Sequence, residues 1–223
     1  MITFQGVYKY YSGIAVLQNV SFNIEKGQLV FITGPSGAGK TTLLKLIFGS
    51  EFPDEGEIKV ANFELSNIKQ REIPQLRRAV TFVFQDFRLR QDLTVFDNVA
   101  LPLRVIGEKE KDIKQKVMDA LKDVALRHKA DSIVKTLSGG EQQKIAIARA
   151  IITNPQIVLA DEPTGNLDPE ASQDVIALFK RINTKGCTVV IATHNSDFFR
   201  NKQYRVLTLK EGKIHEDASS FSN

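Results

Sequence analysis

The sequence predicts an α/β fold built around an open parallel sheet, with a small antiparallel β subdomain at its N-terminus and a helical subdomain inserted in the middle. Three observations carry this. Leu29 to Phe48, LVFITGPSGAGKTTLLKLIF, reads as strand, glycine-rich loop and helix. Two further short apolar runs, Ile157 to Asp161 and Val189 to Thr193, have the length and composition of buried parallel strands, and each ends in a chemically active side chain. Between the glycine-loop unit and these runs, residues 86–136 exchange strand patterns for charged helical ones. The 223 residues, 42% of them hydrophobic, suffice for one such core and exclude a disordered chain.

Residues 1–27 read as edge β structure. Val20, Phe22 and Ile24 alternate with Ser21 and Asn23, the period of a half-buried strand, and Glu25-Lys26-Gly27 turns the chain into the core. Tyr8, Tyr10 and Tyr11 precede a turn at Gly13; they can cover a sheet face or stack on a purine base. The loop after Thr33 fits a phosphate-binding pattern, with Gly34, four residues, Gly39, then Lys40 and Thr41. Glycines at 34, 37 and 39 let backbone N–H groups converge on an anion. The helix starting near Gly39 aims its unpaired N–H groups at the same point. Lys40 would reach the outer phosphates and Thr41 would place a hydroxyl on Mg²⁺.

That helix carries Leu43, Leu44 and Ile47 on one face and stops at Gly49. FPDEGEIKV gives a turn and a strand. Asn67 to Arg78 reads as a short helix followed by a turn, and Val80 to Phe84 as a strand ending at Gln85. A glutamine there can ligate a metal, orient a water or cap a loop. In the helical stretch, Ile113, Val117, Leu121 and Val124 recur at helical spacing within Lys109 to Ala125. Mixed charges between them favour internal packing over a membrane-surface helix. NVALPL, residues 98–103, reads as a helix interrupted at Pro102.

Leu137 to Gln142 is LSGGEQ. Ser138 and Glu141 have capping-box spacing, and the exposed N–H groups at Gly139 and Gly140 offer either a second anion site or an ordinary capped helix. The helix buries Ile145, Ala148 and Ile152 and is bounded by Pro155. IVLAD then delivers Asp161, which can hold Mg²⁺, and Glu162, which can polarise water. Pro163 to Asp168 forms a loop, and His194 follows the next strand. Residues 205–209 and 213–215 read as a hairpin across Glu211-Gly212. The polar end 217–223 reads as a flexible tail. Cys187, the single cysteine, lies in an apolar run and reads as a buried, inert thiol.

The net charge of +4 is mild, and no Lys/Arg block forms a nucleic-acid arm, so no nucleic-acid partner is expected. No apolar run reaches membrane-spanning length and the first residues lack a secretory pattern, so a cytoplasmic chain is expected. In an open parallel sheet the strand ends carrying the glycine loop, Asp161-Glu162 and His194 gather at one edge. Their convergence points to a nucleoside triphosphatase.

The set of motifs resembles the nucleotide-binding subunits of ABC ATPases: GPSGAGKTT, Gln85, LSGGEQ, IVLADE, NLD and His194, in that order over nearly the whole chain. The text from Arg71 to Leu103 is nearest to the cell-division branch of that family. Lipoprotein-releasing and macrolide-export ATPases share FVFQ and DEPTGNLD. Arg88-Leu89-Arg90 and Ala79-Val80-Thr81 depart from the branch's usual text.

The resemblance implies a P-loop NTPase core of RecA-like type over 1–85 and 137–216, with the helical subdomain at 86–136. It implies ATP and Mg²⁺ as cofactors. Contacts to ATP would come from Tyr11, Gly34, Pro35, Ser36, Gly37, Ala38, Gly39, Lys40, Thr41 and Thr42. Across a head-to-tail homodimer they would come from Ser138, Gly139, Gly140 and Asp168. Thr41, Gln85 and Asp161 would hold Mg²⁺; Glu162, His194, Lys40 and Gln85 would act in hydrolysis. An integral membrane partner docked around Asp86 to Asn98 would place the chain on the inner face of the cell membrane.

Overall fold

The apolar runs and turns of the sequence settle into two sheets in the computed structural model, which describes residues 1–200 and 204–216. The expected tail, 217–223, lies outside the described residues. β1 (Ile2–Tyr11) and β2 (Ile14–Ile24) form a hairpin. Its two-residue turn, Ser12-Gly13, has φ of 50° and 79°, the doubly left-handed geometry that matches strand twist. β3 (Leu29–Thr33) leads through the glycine loop into α1 (Lys40–Phe48). β4 (Glu55–Val60) and β5 (Phe63–Glu64) return to the hairpin, giving a four-stranded antiparallel sheet of order β2-β1-β4-β5. α2 (Ile73–Ala79) then feeds β6 (Val80–Val83).

The helical stretch comes next as α3 (Val95–Val105) and α4 (Glu110–Asp123), and LSGGEQ opens α5 (Gly139–Ile151). β7 (Ile157–Asp161), α6 (Pro169–Thr184), β8 (Thr188–Ala192), β9 (Arg205–Lys210) and β10 (Lys213–Glu216) complete the described chain. The second sheet has order β10-β9-β3-β8-β7-β6 and is parallel except for β10, which pairs back on β9 as the expected hairpin.

Period-two burial on the central strands divides the interior. Val30, Ile32, Ile157, Leu159, Val190 and Ala192 face α1 and the antiparallel sheet. Phe31, Val158, Ala160, Val189 and Ile191 face the other side, where α3 to α6 pack. Both faces are covered, which is why these strands read as unbroken apolar runs. At the C-terminal edge of the sheet the register is level: Ile32 stands beside Ala192, and Ala192 beside Asp161.

Several expectations change. β1 is not an edge strand, because its buried Phe4 and Val7 lie between β2 and β4. Pro102 does not interrupt its helix. Losing one N–H near the C-terminal end is tolerated, and Ile106 N donates to Pro102 O at 3.2 Å to close the last turn. In residues 67–78 the order is reversed: 3₁₀ turns at Leu65–Asn67 and Gln70–Glu72 precede the helix. Cys187 is half-buried, not fully buried, although burial still pushes its thiol up to about 11 and keeps it protonated. α6 has no counterpart among the expected elements; Asp168 as N-cap and Pro169 at the first helical position are its signals.

The helical stretch packs inward. Ile113, Val117 and Leu121 are fully buried, and the cluster that contains them continues without a break to Phe31 and Val158 of the parallel sheet.

Candidate functional site

The level register of β3, β8 and β7 brings three strand ends to one edge. Each continues its hydrogen-bond ladder one residue further. Thr193 N donates to Ile32 O at 3.0 Å, and Glu162 N donates to Ala192 O at 2.9 Å. The glycine loop, His194 and Glu162 therefore emerge side by side.

The loop is shaped by backbone demands. A Cβ at Gly34 would run into the carbonyl of Leu209, so only glycine fits there. Gly39 adopts φ 100° as the N-cap of α1, which begins at Lys40. Lys40 is buried to 8% exposure, and its ammonium donates to the carbonyls of Gly34 at 2.9 Å and Pro35 at 3.2 Å. Pro35, Ser36 and Gly37 are exposed at the crest of the loop, with Ala38 half-buried behind them. Thr42 is half-buried on the first turn of α1.

Glu162 sits at the centre. Its φ of 43° places it in the left-handed region, a conformation costing a non-glycine residue on the order of 1–3 kcal/mol. The sharp turn is fixed by Gly165 N, which donates to Glu162 O at 3.0 Å. The largely buried carboxylate lies 3.9 Å from Lys40 Nζ and 3.0 Å from His194 Nδ1, and it also accepts from the backbone N–H of His194 at 3.4 Å. His194 itself is mostly exposed.

Asp161 stands close enough to Thr41 for its hydroxyl to act on the carboxyl. Burial is the main reason its carboxyl is held above the usual aspartate range, with repulsion from Glu162 adding to it; the Thr41 hydroxyl, Lys40 and Lys45 pull the other way. A half-buried carboxylate beside a hydroxyl is a donor set suited to a hard divalent cation. Mg²⁺ fits these residues on that ground.

The remaining expected residues lie around this centre or apart from it. Gln85 is exposed just past β6, its amide against Gly165, where an added Cβ would come within 3.0 Å of Nε2. Tyr11 is 38% exposed at the hairpin tip, with Lys9 Nζ 5.6 Å from its ring centre. Ser138 and Glu141 form the capping box in full: Ser138 Oγ accepts from Glu141 N and Glu141 Oε2 accepts from Ser138 N. Gly139 and Gly140 contact the segment 166–171. Asp168 caps α6 by accepting from Ala171 N at 2.8 Å. Lys40, Thr41, Asp161, Glu162 and His194 thus form one group, with Gln85 at its border. Ser138, Gly139, Gly140 and Asp168 form a second, where α5 and α6 begin.

The residue that sequence reasoning misses is Arg149, whose guanidinium holds the carbonyls of Phe87 and Arg88. Its signal is a charged residue in the otherwise apolar run IAIARAII.

Comparison with known proteins agrees with this geometry. The family model described as ABC transporter matches residues 17–165. The cell division ATP-binding protein FtsE of Bacillus subtilis is 47% identical over 220 residues, covering 98% of this chain and 96% of that protein. FtsE of Escherichia coli K12 is 46% identical over 216 residues, with 96% and 97% covered. Among solved structures, the dimeric ATP-binding cassette MJ0796 in a post-hydrolysis state with ADP and Pi superposes with a TM-score of 0.89. It is 36% identical, with both chains fully covered.

Replacing Asp161 by Asn should remove the burial penalty. Because the folded carboxyl titrates above its unfolded value, that penalty is absent at low pH, where both states are protonated, and complete once pH exceeds the folded pKa. We expect the thermal midpoint of Asp161→Asn, without nucleotide, to rise above the parent's near neutral pH. Each 1 kcal/mol gained is worth about 2–4 °C. The gap should close in acid; calorimetry across pH checks both the sign and the closure.

Proposed function

As a member of the ABC transporter family, this chain is an ATP-binding and ATP-hydrolysing subunit, and we propose that it serves in cell division with an FtsX-like membrane partner. The observation that carries the cell-division role is the 44–47% identity to FtsE proteins from Bacillus, Escherichia and Mycobacterium over nearly their full lengths.

Bound ATP with Mg²⁺ supplies a phosphoric anhydride whose terminal phosphoryl group passes to water, its charge partly neutralised by the cation. Thr41 and Asp161, with Gln85 at the border, would hold the cation. Lys40 would exchange the carbonyls of Gly34 and Pro35 for phosphate oxygens, a substitution of one set of charge-assisted bonds for a stronger one. Glu162 is the general base for the attacking water. Without nucleotide its carboxylate is held between Lys40 and His194; once these turn to phosphate it is free to take the proton of the water. His194, mostly exposed, can leave Glu162 for the phosphate. Tyr11 would stack on the base.

The second group, Ser138 to Gly140 and Asp168, would complete the site of another copy in a head-to-tail dimer. The dimeric state of the similar cassette MJ0796 supports this. Among the described residues no helix is long and apolar enough to cross a membrane, so force or signal must pass to another protein. We place that contact at residues 86–98 and the neighbouring face of α3, where Leu101, Val105 and Ile106 are exposed. Association with such a partner would put the chain on the inner membrane face, where ATP-driven closure would act on cell-wall hydrolysis outside.

Glu162→Gln should lower phosphate release by roughly 10²–10⁴-fold while ATP affinity stays within a few-fold, checked by phosphate release and a binding titration. Turnover at the parent rate would remove Glu162 as the base. The cell-division role is tested by co-purification with the FtsX of the same organism and, in parallel, with its lipoprotein-release membrane subunit. Retention of FtsX alone, lost on Leu93→Asp or Val105→Asp, is the expected result. Retention of the lipoprotein-release subunit alone would move the chain to that export branch.

A further inference from the structure

The segment after Gln85 is held in an uncommon shape. Phe87 and Arg88 have φ of 58° and 49°, two successive bulky residues in the left-handed region. Successive residues in that region point their carbonyls to one side, as a helical turn does. Here a single side chain takes both. Arg149 Nη1 donates to Arg88 O at 2.6 Å and Nη2 to Phe87 O at 2.9 Å. The other side of the knot closes on itself. Phe87 N donates to Phe84 O at 3.3 Å, the Arg88 guanidinium lies 3.7 Å from the Phe84 ring centre, and it pairs with Asp86 at 3.3 Å.

Arg149 stands on α5, ten residues beyond Gly139, or about 15 Å along the helix axis. The helix whose first turn presents Ser138 to Gly140 thus also grips the strained turn two residues from Gln85. A further tie, from Gln91 Nε2 to Gln142 Oε1 at 3.2 Å, joins the same two elements. Beyond the turn, the Gln85 amide rests against Gly165, whose N–H holds the carbonyl of Glu162. These contacts form an unbroken path from α5 through the turn to Gln85 and on to the segment carrying Glu162.

We propose that Arg149 is a positioning residue: its two-pronged grip on the Phe87 and Arg88 carbonyls sets where Gln85 stands in the nucleotide site and makes that position follow α5. This rests on the reading of Gln85 as a residue of the Mg²⁺–ATP site. The planar fork is what the geometry requires. A lysine could reach these carbonyls only with a single rotatable ammonium on a flexible stem, which fixes no plane and so holds the turn less firmly.

Arg149→Gln and Arg149→Lys test this in two independent readouts. The first needs no nucleotide. Hydrogen–deuterium exchange of residues 84–92 should quicken in Arg149→Gln, less so in Arg149→Lys, while peptides from β7 and α1 keep the parent rate. The second is kinetic. Arg149→Gln should lower kcat roughly 10–100-fold, the range seen when an outer partner of a metal site is removed, with ATP affinity unchanged. In a Gln85→Ala background the same substitution should cost nothing more. Unchanged exchange over 84–92 would overturn the proposal, and so would two kcat losses that multiply in the double variant. Parent kcat in Gln85→Ala alone would remove Gln85 from the site and this inference with it. If Arg149→Gln does not fold, Arg149→Lys carries the same readings.

Discussion

The parallel register of β3, β8 and β7 is the constraint on which the rest depends. Ile32, Ala192 and Asp161 stand level, and each strand runs one residue further in ladder before turning away. A slip of one residue in any strand would reverse its side chains between the two faces and carry Asp161 or the approach to His194 into the core. Fully apolar strands cannot hold register by an in-out pattern of polarity. What varies across this sheet is side-chain size, from Phe31 on one face to Ala192 on the other.

At that edge the structure accepts several local costs. Glu162 occupies a left-handed conformation, Asp161 is a carboxyl that burial disfavours as an anion, and Lys40 keeps an ammonium at 8% exposure. Each cost is offset nearby: the Gly165 N–H fixes the turn at Glu162, the Thr41 hydroxyl favours the charged form of Asp161, and two loop carbonyls accept hydrogen bonds from Lys40. On the proposed reading, a magnesium nucleotide would relieve these costs by giving Lys40 an anion and Asp161 a cation.

Much of this is legible in the sequence, and for definable reasons. Gly34 to Thr41, Asp161-Glu162 and the Ser138–Glu141 box are local patterns, set by backbone geometry within a few residues, and they stand where the sequence places them. Pro102 misleads because a single missing N–H near a helix end is weaker than the packing of Val99 and Leu103 around it. β1 looks like an edge strand because nothing local announces that β4, some fifty residues later, will cover its other side. Arg149 is invisible for the same reason. Its partners are backbone carbonyls sixty residues away, which carry no residue-type signature.

On the proposed reading the phosphate loop is half of a site. The same fold that gathers Lys40, Asp161, Glu162 and His194 at one edge presents Ser138 to Gly140 elsewhere, where we propose that they serve another copy. The most direct measurement mixes two chains. One carries Lys40→Ala, which removes its own phosphate grip; the other carries Ser138→Arg, which blocks what it offers to a partner. A dimer of one each retains one intact site, formed by the loop of the second chain and the α5 start of the first. Each variant alone should be nearly inactive in phosphate release, and mixing them should restore a clear fraction of the parent rate. A mixture no more active than its components, or a Ser138→Arg chain with full activity alone, would contradict the shared site.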